Sequence, residues 1–212
     1  MSEYENEPLR GLPGNLPAGE HMLWQGSPEW RLLARHALHT HLVGAYFVLL
    51  VGVAVIGFAT GGSGLLGIAA TLGVGAAGVG LLAAFAWASA RTTIYTLTTK
   101  RLVLRFGVAL PMCINLPLTQ IATARVQALG DGAGDIALAL VGPERIGYIR
   151  LWPHARAWKI ASPEPMLRSL ADVDAVATLL TNALLAAVPA GRRVAPVADA
   201  VAPAFGPVAS AA

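Results

Sequence analysis

The segment ARTTIYTLTTKRLVLRFG, residues 90–107, separates two parts of the chain that differ in character. On its N-terminal side, residues 36–90 contain no Lys, Arg, Asp or Glu. Inside the segment, apolar positions alternate with polar ones on either side of a turn: Tyr95 and Leu97, then Leu102, Leu104 and Phe106. This alternation predicts a β-hairpin. A long apolar region therefore gives way to a β-rich region near residue 90.

The apolar region is too long for one membrane-spanning helix. A helix over residues 42–88 would be about 70 Å long, more than twice the ~30 Å hydrocarbon core of a bilayer. The sequence TGGSG at 60–64 favours a tight turn. We therefore predict a transmembrane hairpin with helices over about 42–59 and 65–88. Of the 212 residues, 13% are charged, about half the usual share of a soluble domain, which disfavours a buried soluble hairpin.

The turn of this hairpin has no charge, whereas basic residues flank the hairpin on both sides: Arg31, Arg35, Arg91, Lys100, Arg101 and Arg105. The positive-inside rule then predicts that both termini are cytoplasmic and that the protein is a multi-pass protein of the bacterial inner, or intracytoplasmic, membrane. The N-terminus lacks the basic, then apolar, pattern of a signal peptide. Two roles for the cations are compatible. They set the orientation, and they contact the anionic inner leaflet, each contributing about 1 kcal/mol.

Small residues mark the candidate contacts within the membrane: Gly57, Gly67, Gly73, Gly75, Gly78 and Gly80. Small side chains let helix backbones approach closely in lipid. The partner is either the other helix of the hairpin or a second protein, and a second copy of the chain is one such protein.

After residue 90 the sequence predicts six or seven strands between 91 and 161. They are the opening hairpin and the segments INLPLTQIATARVQAL, DIALALVG, RIGYIRLW and RAWKIA. A helix follows, with Asp172 as N-cap and Pro189 as its end. Its apolar face is predicted to comprise Val173, Val176, Leu179, Leu180 and Leu184. The Ala/Pro-rich residues 189–212 are predicted to be disordered.

Three of these segments, YTLTTKRLVLRFG, INLPLTQIATARV and GDGAGDIALAL, resemble the bacterial pleckstrin-homology (PH) domain of small membrane proteins. GLPGNLPAGEHMLWQGSPEWRLLARHALH, RFGVALPMCINLP and RIGYIRLWPHARAWKIASPEPMLRSL extend the resemblance over about residues 2–187. They are similar to the PuhB family of photosynthetic-complex assembly proteins in purple phototrophic bacteria. The resemblance implies a non-enzymatic factor that assists assembly of the reaction centre and the core light-harvesting complex (light-harvesting complex 1).

Together these observations predict a membrane α+β protein: a two-helix transmembrane hairpin and a PH-like antiparallel β sandwich or barrel capped by a C-terminal helix. The expected divisions are an N-terminal cytoplasmic segment (1–40), the hairpin (41–89), the PH-like domain (90–188) and the tail (189–212). Expected partners are reaction-centre and light-harvesting 1 subunits, the lipid bilayer and a further copy of the chain. Nucleic acid is not an expected partner. A resident subunit of the complex and a general membrane or lipid adaptor are the alternative functions.

Candidate chemical sites are weak. His36, His39 and His41 could ligate a metal or the magnesium of a bacteriochlorophyll, and His36 with His39 could share a helix face. No cysteine or carboxylate lies within HALHTH to complete a metal site. We therefore expect no cofactor, no metal and no catalytic residue.

The tryptophans are candidate protein contacts. Four of the five lie outside the predicted spans: Trp24, Trp30, Trp152 and Trp158. Aromatic residues beside arginines are typical of interaction anchors. Packing of the N-terminal segment on the sheet is the competing interpretation.

Overall fold

The computed structural model describes residues 11–12, 14–62, 64–108, 110–141, 147–156, 163–187 and 198–199. A short helix, α1 (Trp30–Leu32), continues as a π-helical turn over Leu33–Ala37. We call residues 30–37 the approach helix. Two long helices follow, α2 (Thr40–Ala59) and α3 (Leu65–Thr92), and pack as a hairpin. Both are long and apolar enough to cross a membrane, and few of their residues are buried.

The two long helices differ in length: α2 has 20 residues and α3 has 28. At 3.6 residues per turn, α3 therefore extends about two turns beyond the start of α2. Other parts of the chain cover this extension. Ala86, Ser89 and Ala90 are buried, and towards the other end Gly75 is the one further buried residue of α3.

In the described part of the chain, eight strands form two four-stranded sheets. Sheet 1 has the order β1-β2-β3-β4 and is antiparallel throughout: β1 (Met22–Gly26), β2 (Ile94–Thr98), β3 (Arg101–Phe106) and β4 (Met112–Pro117). Sheet 2 has the order β7-β6-β5-β8: β5 (Ile121–Gly130), β6 (Ala133–Leu140), β7 (Met166–Leu170) and β8 (Ala198–Asp199). Within it, β8 pairs parallel with β5 and the other pairs are antiparallel.

One apolar core is shared by both sheets and the C-terminal helix α5 (Val173–Ala187). Alternation explains which residues enter it. Leu97, Leu102 and Leu104 from sheet 1 and Ile136 and Leu138 from sheet 2 are all at most 1% exposed. The N-cap prediction for α5 agrees with the geometry, since the Asp172 carboxylate accepts a hydrogen bond from the Ala175 N–H at 3.1 Å.

The second face of sheet 1 is buried as well. Thr96, Thr98 and Val103 point to that face and are fully buried. Leu12 in the segment before β1 is 1% exposed, and a Cβ at the neighbouring Gly11 would lie 2.7 Å from Ile94 Cγ2. The segment before β1 therefore packs on the sheet, although residues 1–40 were predicted to be a separate N-terminal segment.

Several predicted elements need correction. RIGYIRLW was predicted as a strand, but Tyr148–Leu151 form a helical turn, α4. The Trp152 N–H donates to Tyr148 O and the His154 N–H donates to Leu151 O, so local bonds replace a strand ladder. RAWKIA lies mostly outside the described residues. Within 91–161, the described residues contain five strands, whereas β1 and β7, both missed, flank that interval.

Two details of the C-terminal region also differ from prediction. Leu179 was placed on the apolar face of α5, but it is 37% exposed, and Ala177 and Ala183 are buried instead. Of the predicted disordered tail, Ala198–Asp199 form β8, and the rest lies outside the described residues.

Candidate functional site at the helix–domain junction

The last two turns of α3 are the place where the apolar hairpin meets the sheets. We call this region the junction; it includes residues 85–92, the approach helix, the start of β2 and residues 148–156. Two apolar contacts hold it. Leu33 and Ala34 of the approach helix form a buried cluster with Ala86 of α3. The Trp152 ring stacks on Phe85 of α3, with centroids 5.5 Å apart.

A buried chain of hydrogen bonds crosses the junction. The Tyr95 hydroxyl accepts from the Arg168 N–H at 3.1 Å and therefore donates to His154 Nδ1 at 2.8 Å. Because Nδ1 accepts, the proton of the neutral ring is on Nε2, which donates to Thr93 Oγ1 at 3.1 Å. The Thr93 hydroxyl donates to the Ser89 carbonyl at 2.7 Å. Sheet 2, sheet 1 and α3 are thereby joined through polar groups with defined roles.

Burial keeps both rings of this chain neutral. His154 is fully buried, and desolvation, together with the nearby Arg168 charge, lowers its pKa to about 3. Desolvation also raises the pKa of Tyr95 well above its ordinary value. A neutral histidine fixed between two hydroxyls suits a structural link.

A second link joins the approach helix to sheet 2. Ser169 in β7 has φ +54°, and its N–H donates to the Asp135 carboxylate at 2.7 Å. The Ser169 carbonyl accepts from the Glu29 N–H at 2.8 Å, directly before the approach helix. Burial raises the pKa of Asp135, although the Ser169 N–H and the charges of Arg168 and His36 oppose the rise.

A third link joins the segment before β1 to the β2–β3 turn. Glu20 is 6% exposed and accepts from Thr98 Oγ1 at 2.7 Å and from Arg101 Nε at 2.9 Å. Burial favours the neutral acid, but these two hydrogen bonds and the charges of Arg101 and Lys100 lower the pKa of Glu20 overall. The predicted membrane-surface cation Arg101 is therefore neutralised by Glu20.

The remaining basic residues stay on the surface. Arg31, Arg35, Arg91 and Lys100 are exposed, and Arg105 is partly buried. The Arg91 guanidinium lies 4.9 Å from the centroid of the Trp87 ring, and the Arg31 guanidinium lies 5.3 Å from that of Trp30. Both pairs flank the junction.

An open groove of about 570 Å³ runs between the segment that leads into the approach helix and the end of α3. We call it the junction groove. One wall is formed by residues 25–30, and the other by the end of α3 and the start of β2. Its lining includes the rings of Trp30 and Trp87 and the charged residues Glu29 and Arg91.

The candidate histidines do not converge. His36 belongs to the π-helical turn, whereas His39 has φ +51° and lies in the break before α2, so the two cannot share one helix face. The centroids of the His39 and His41 rings lie 6.1 Å apart, and the His41 Nδ1–H donates a hydrogen bond to the Arg35 carbonyl at 3.1 Å. Burial and the Arg35 charge lower the pKa of His36. Among the described residues, no group of three or more His, Cys, Asp or Glu could hold a metal ion.

The candidate tryptophans have different surroundings. Trp24 packs against the core and Trp30 is partly buried. Trp152 stacks on Phe85 and is still 51% exposed. Trp158 lies outside the described residues.

The candidate glycines occupy two faces of α3. The face toward α2 includes Gly75 and Gly78, and a Cβ at Gly75 would lie 2.8 Å from Phe47 Cγ. The opposite face is exposed and carries small residues at heptad spacing: Ala70, Gly73, Ala77, Gly80 and Ala84. A Cβ at Gly67, Gly73 or Gly80 would meet nothing within 4 Å. Gly57 lies at the end of α2, where its carbonyl accepts from the Gly62 N–H at 2.8 Å.

Two residues that join distant parts of the fold, His154 and Glu20, were not predicted from the sequence. His154 had no partner in the sequence pattern, because Tyr95 and Thr93 are about sixty positions away. Glu20 was one acid in an acidic segment, and its partners Thr98 and Arg101 are about eighty positions away. The Thr-rich character of β2 was the available signal, since a run of buried threonines requires hydrogen-bond partners.

Two mainly antiparallel sheets that share a core with a C-terminal helix, joined to an apolar helical hairpin, define a protein with a PH-like fold. The chain belongs to the bacterial PH domain family, whose match covers residues 45–184 and so begins within α2. It is also 37% identical over 186 residues to an uncharacterized 23.7 kDa protein in the puhA 5′ region of Rhodobacter capsulatus. That alignment covers 85% of this chain and 87% of the relative, and it is consistent with the PuhB resemblance. No solved structure matches the chain.

Proposed function

We propose that this protein is a non-enzymatic assembly factor for the photosynthetic reaction centre and light-harvesting complex 1. In this proposal, α2 and α3 span the inner membrane with both termini in the cytoplasm, and the 60–64 turn faces the opposite side. The hairpin contacts membrane helices of client subunits, and the PH-like domain contacts their cytoplasmic segments. The puhA-region relative supports the association with photosynthesis genes.

The observation that carries the contact mechanism is the uncovered outer face of α3. α2 covers the Gly75 face and leaves the Ala70–Ala84 face exposed. Small residues at heptad spacing on an apolar helix permit close approach of another helix, and van der Waals contact then stabilises the pair. A client helix is therefore expected at this face.

The structure allows the outer face of α3 to be tested separately from the face toward α2. Gly73→Leu with Gly80→Leu enlarges the outer face without touching α2, since a Cβ at either position meets nothing within 4 Å. Gly75→Leu instead clashes with Phe47 and is the matched control for a damaged hairpin. Tagged variants are purified in a gentle detergent from phototrophic cells, and copurifying reaction-centre and light-harvesting subunits are quantified.

We expect the outer-face double variant to insert normally and to lose most of its bound client. Normal client recovery by an inserted double variant would contradict this mechanism. Substoichiometric recovery with the wild-type protein supports a transient factor, and stoichiometric recovery makes it a resident subunit. Recovery of neither client from wild type would favour a general membrane or lipid adaptor.

A further inference from the structure

We infer that the junction groove binds the headgroup of one zwitterionic aminophospholipid, with the phosphate on Arg91 and the ammonium group on Glu29. The inference rests on the proposed insertion of α2 and α3 in the membrane. It adds a specific lipid site, with one residue for each headgroup charge, to the general surface contact expected for the cations.

The groove lies at the depth of phospholipid headgroups. Along α3, Trp87 lies about 33 Å and Arg91 about 39 Å from Leu65, at 1.5 Å per residue. A hydrocarbon core of about 30 Å that begins at Leu65 therefore ends just before Trp87. The Arg91 backbone then lies about 9 Å beyond the core, at the outer edge of a headgroup layer that extends roughly 5–8 Å on each side. Its guanidinium lies over the Trp87 ring, one turn nearer the core, and so within that layer. Tryptophan prefers this boundary because its ring is apolar and its N–H is polar.

The two charged side chains are available to a ligand. Arg91 is exposed and its guanidinium lies over the Trp87 ring, so its N–H groups are accessible to a phosphate. Glu29 is held in place through its backbone N–H, which donates to Ser169 O at 2.8 Å. Within the described residues, neither the Glu29 carboxylate nor the Arg91 guanidinium forms an ion pair with another side chain. One positive and one negative group therefore line the same groove.

This charge pair selects the type of headgroup. A phosphate bonded to an ammonium-bearing ethanolamine satisfies both Arg91 and Glu29, and the ammonium N–H groups donate to the carboxylate. A headgroup with negative charge alone leaves Glu29 without a partner and near a like charge. The groove volume of about 570 Å³ lies within the range of roughly 300–1,000 Å³ that is usual for small-molecule sites.

The test uses the full-length chain, stripped of lipid in detergent and offered equimolar phosphatidylethanolamine and phosphatidylglycerol. Native mass spectrometry counts the lipids that stay bound. We expect one retained phosphatidylethanolamine with a preference of about tenfold, as one charge-assisted hydrogen bond of about 1.5 kcal/mol provides. Glu29→Gln should reduce this preference to about twofold or less, and Arg91→Gln should lose both lipids.

Lys100→Gln is the matched control, because Lys100 is an exposed cation in the β2–β3 turn outside the groove lining; it should behave like wild type. Equal retention of both lipids by wild type, or an unchanged preference in Glu29→Gln, would overturn the site. Near-UV circular dichroism checks that each variant is folded. Flotation with vesicles of the same two lipids after a carbonate wash tests insertion separately. An inserted protein without lipid discrimination overturns the headgroup site alone, whereas a protein that does not float overturns the proposed insertion.

Discussion

At the scale of single residues, His154 connects the most distant parts of the molecule. Its ring accepts a hydrogen bond from the Tyr95 hydroxyl and donates one to the Thr93 hydroxyl, which in turn donates to the Ser89 carbonyl of α3. Both ring nitrogens are used, so protonation of Nδ1 removes an acceptor and places a charge in the core. The cost of that charge explains why burial lowers the pKa of His154 to about 3.

The lowered pKa of His154 predicts a dependence of stability on pH. The ordinary pKa of 6.5 applies to the unfolded chain, so between pH 6.5 and about 3 the unfolded state binds one more proton than the folded state. The contribution of His154 to the free energy of unfolding should therefore be fully present above pH 6.5. It should decrease as pH falls, by up to about 1.4 kcal/mol per pH unit. Chemical denaturation of the detergent-solubilised chain at pH 7, 6 and 5, followed by near-UV circular dichroism, measures this slope.

His154→Gln is the matched variant for that experiment. The amide cannot titrate but keeps a donor and an acceptor, so we expect a loss of about 1–3 kcal/mol at pH 7 and a shallower slope toward pH 5. His36 and the carboxylates titrate in both proteins, and the difference between the two slopes isolates His154. Parallel slopes would mean that the ring is not held neutral in the core.

At the scale of elements, the turns of the two sheets depend on glycine for different reasons. Gly107, after β3, has φ +126°, and a Cβ there would overlap the carbonyl of Leu110. Gly130, at the end of β5, has φ +102° but open space around its Cα. Both substitutions by alanine strain the backbone, but substitution at Gly107 also forces the β3–β4 turn to move.

Gly130→Ala should therefore cost about 1 kcal/mol of unfolding free energy, the usual penalty of a left-handed residue with a Cβ. Gly107→Ala should cost clearly more, because the turn must rearrange as well. Thermal unfolding of the two variants beside wild type compares the two costs. Equal losses of unfolding free energy in the two variants would show that the β3–β4 turn rearranges at little cost and that the overlap with Leu110 carries no penalty.

The elements that sequence could predict are those with a strong local pattern. The uncharged run gave α2 and α3, and alternation gave the β2–β3 hairpin, because both signals lie within a few neighbouring residues. β1 and β7 are five residues long and carry no clean alternation. Their pairing with β2 and β6 is set by long-range contacts. Tyr148–Leu151 were predicted as part of a strand but form a helical turn. This turn places both Leu151 and His154 in the core.

The candidate site was predictable only in part, for a related reason. Periodicity identifies small residues on α3, but the position of Phe47 decides that Gly75 faces α2 and Gly73 does not. Similarly, charge counting identifies Arg101, whereas its pairing depends on Glu20, which is far away in sequence and close in space. Local patterns therefore predicted the residue types, and tertiary contacts assigned their roles.

At the scale of the whole molecule, two connections fix the sheets to the hairpin. The His154 chain joins them directly, and the Ser169 contacts join sheet 2 to the approach helix, which packs on α3 through the Leu33–Ala34–Ala86 cluster. The two connections use different elements, so loss of one leaves the other. Because the end of α3 passes into β2 with a single intervening residue, Thr93, the domain has little freedom to turn away from the hairpin. Under the proposed function, this would hold the client-contacting surface of the domain close to the membrane.

The proposed topology makes a prediction that the single native cysteine can test. Cys113 in β4 is exposed and belongs to the domain, whereas Gly62 is exposed in the turn between α2 and α3. With the hairpin spanning the membrane, these two positions lie on opposite sides, because two spans place the turn across from the domain.

A membrane-impermeant maleimide should label Cys113 in inverted vesicles and leave it unlabelled in intact spheroplasts. In Cys113→Ala with Gly62→Cys, the pattern should reverse, and detergent should expose either cysteine. Labelling of both positions from the same side would show that the hairpin does not span the membrane, and the client contacts on the outer face of α3 would then need another location.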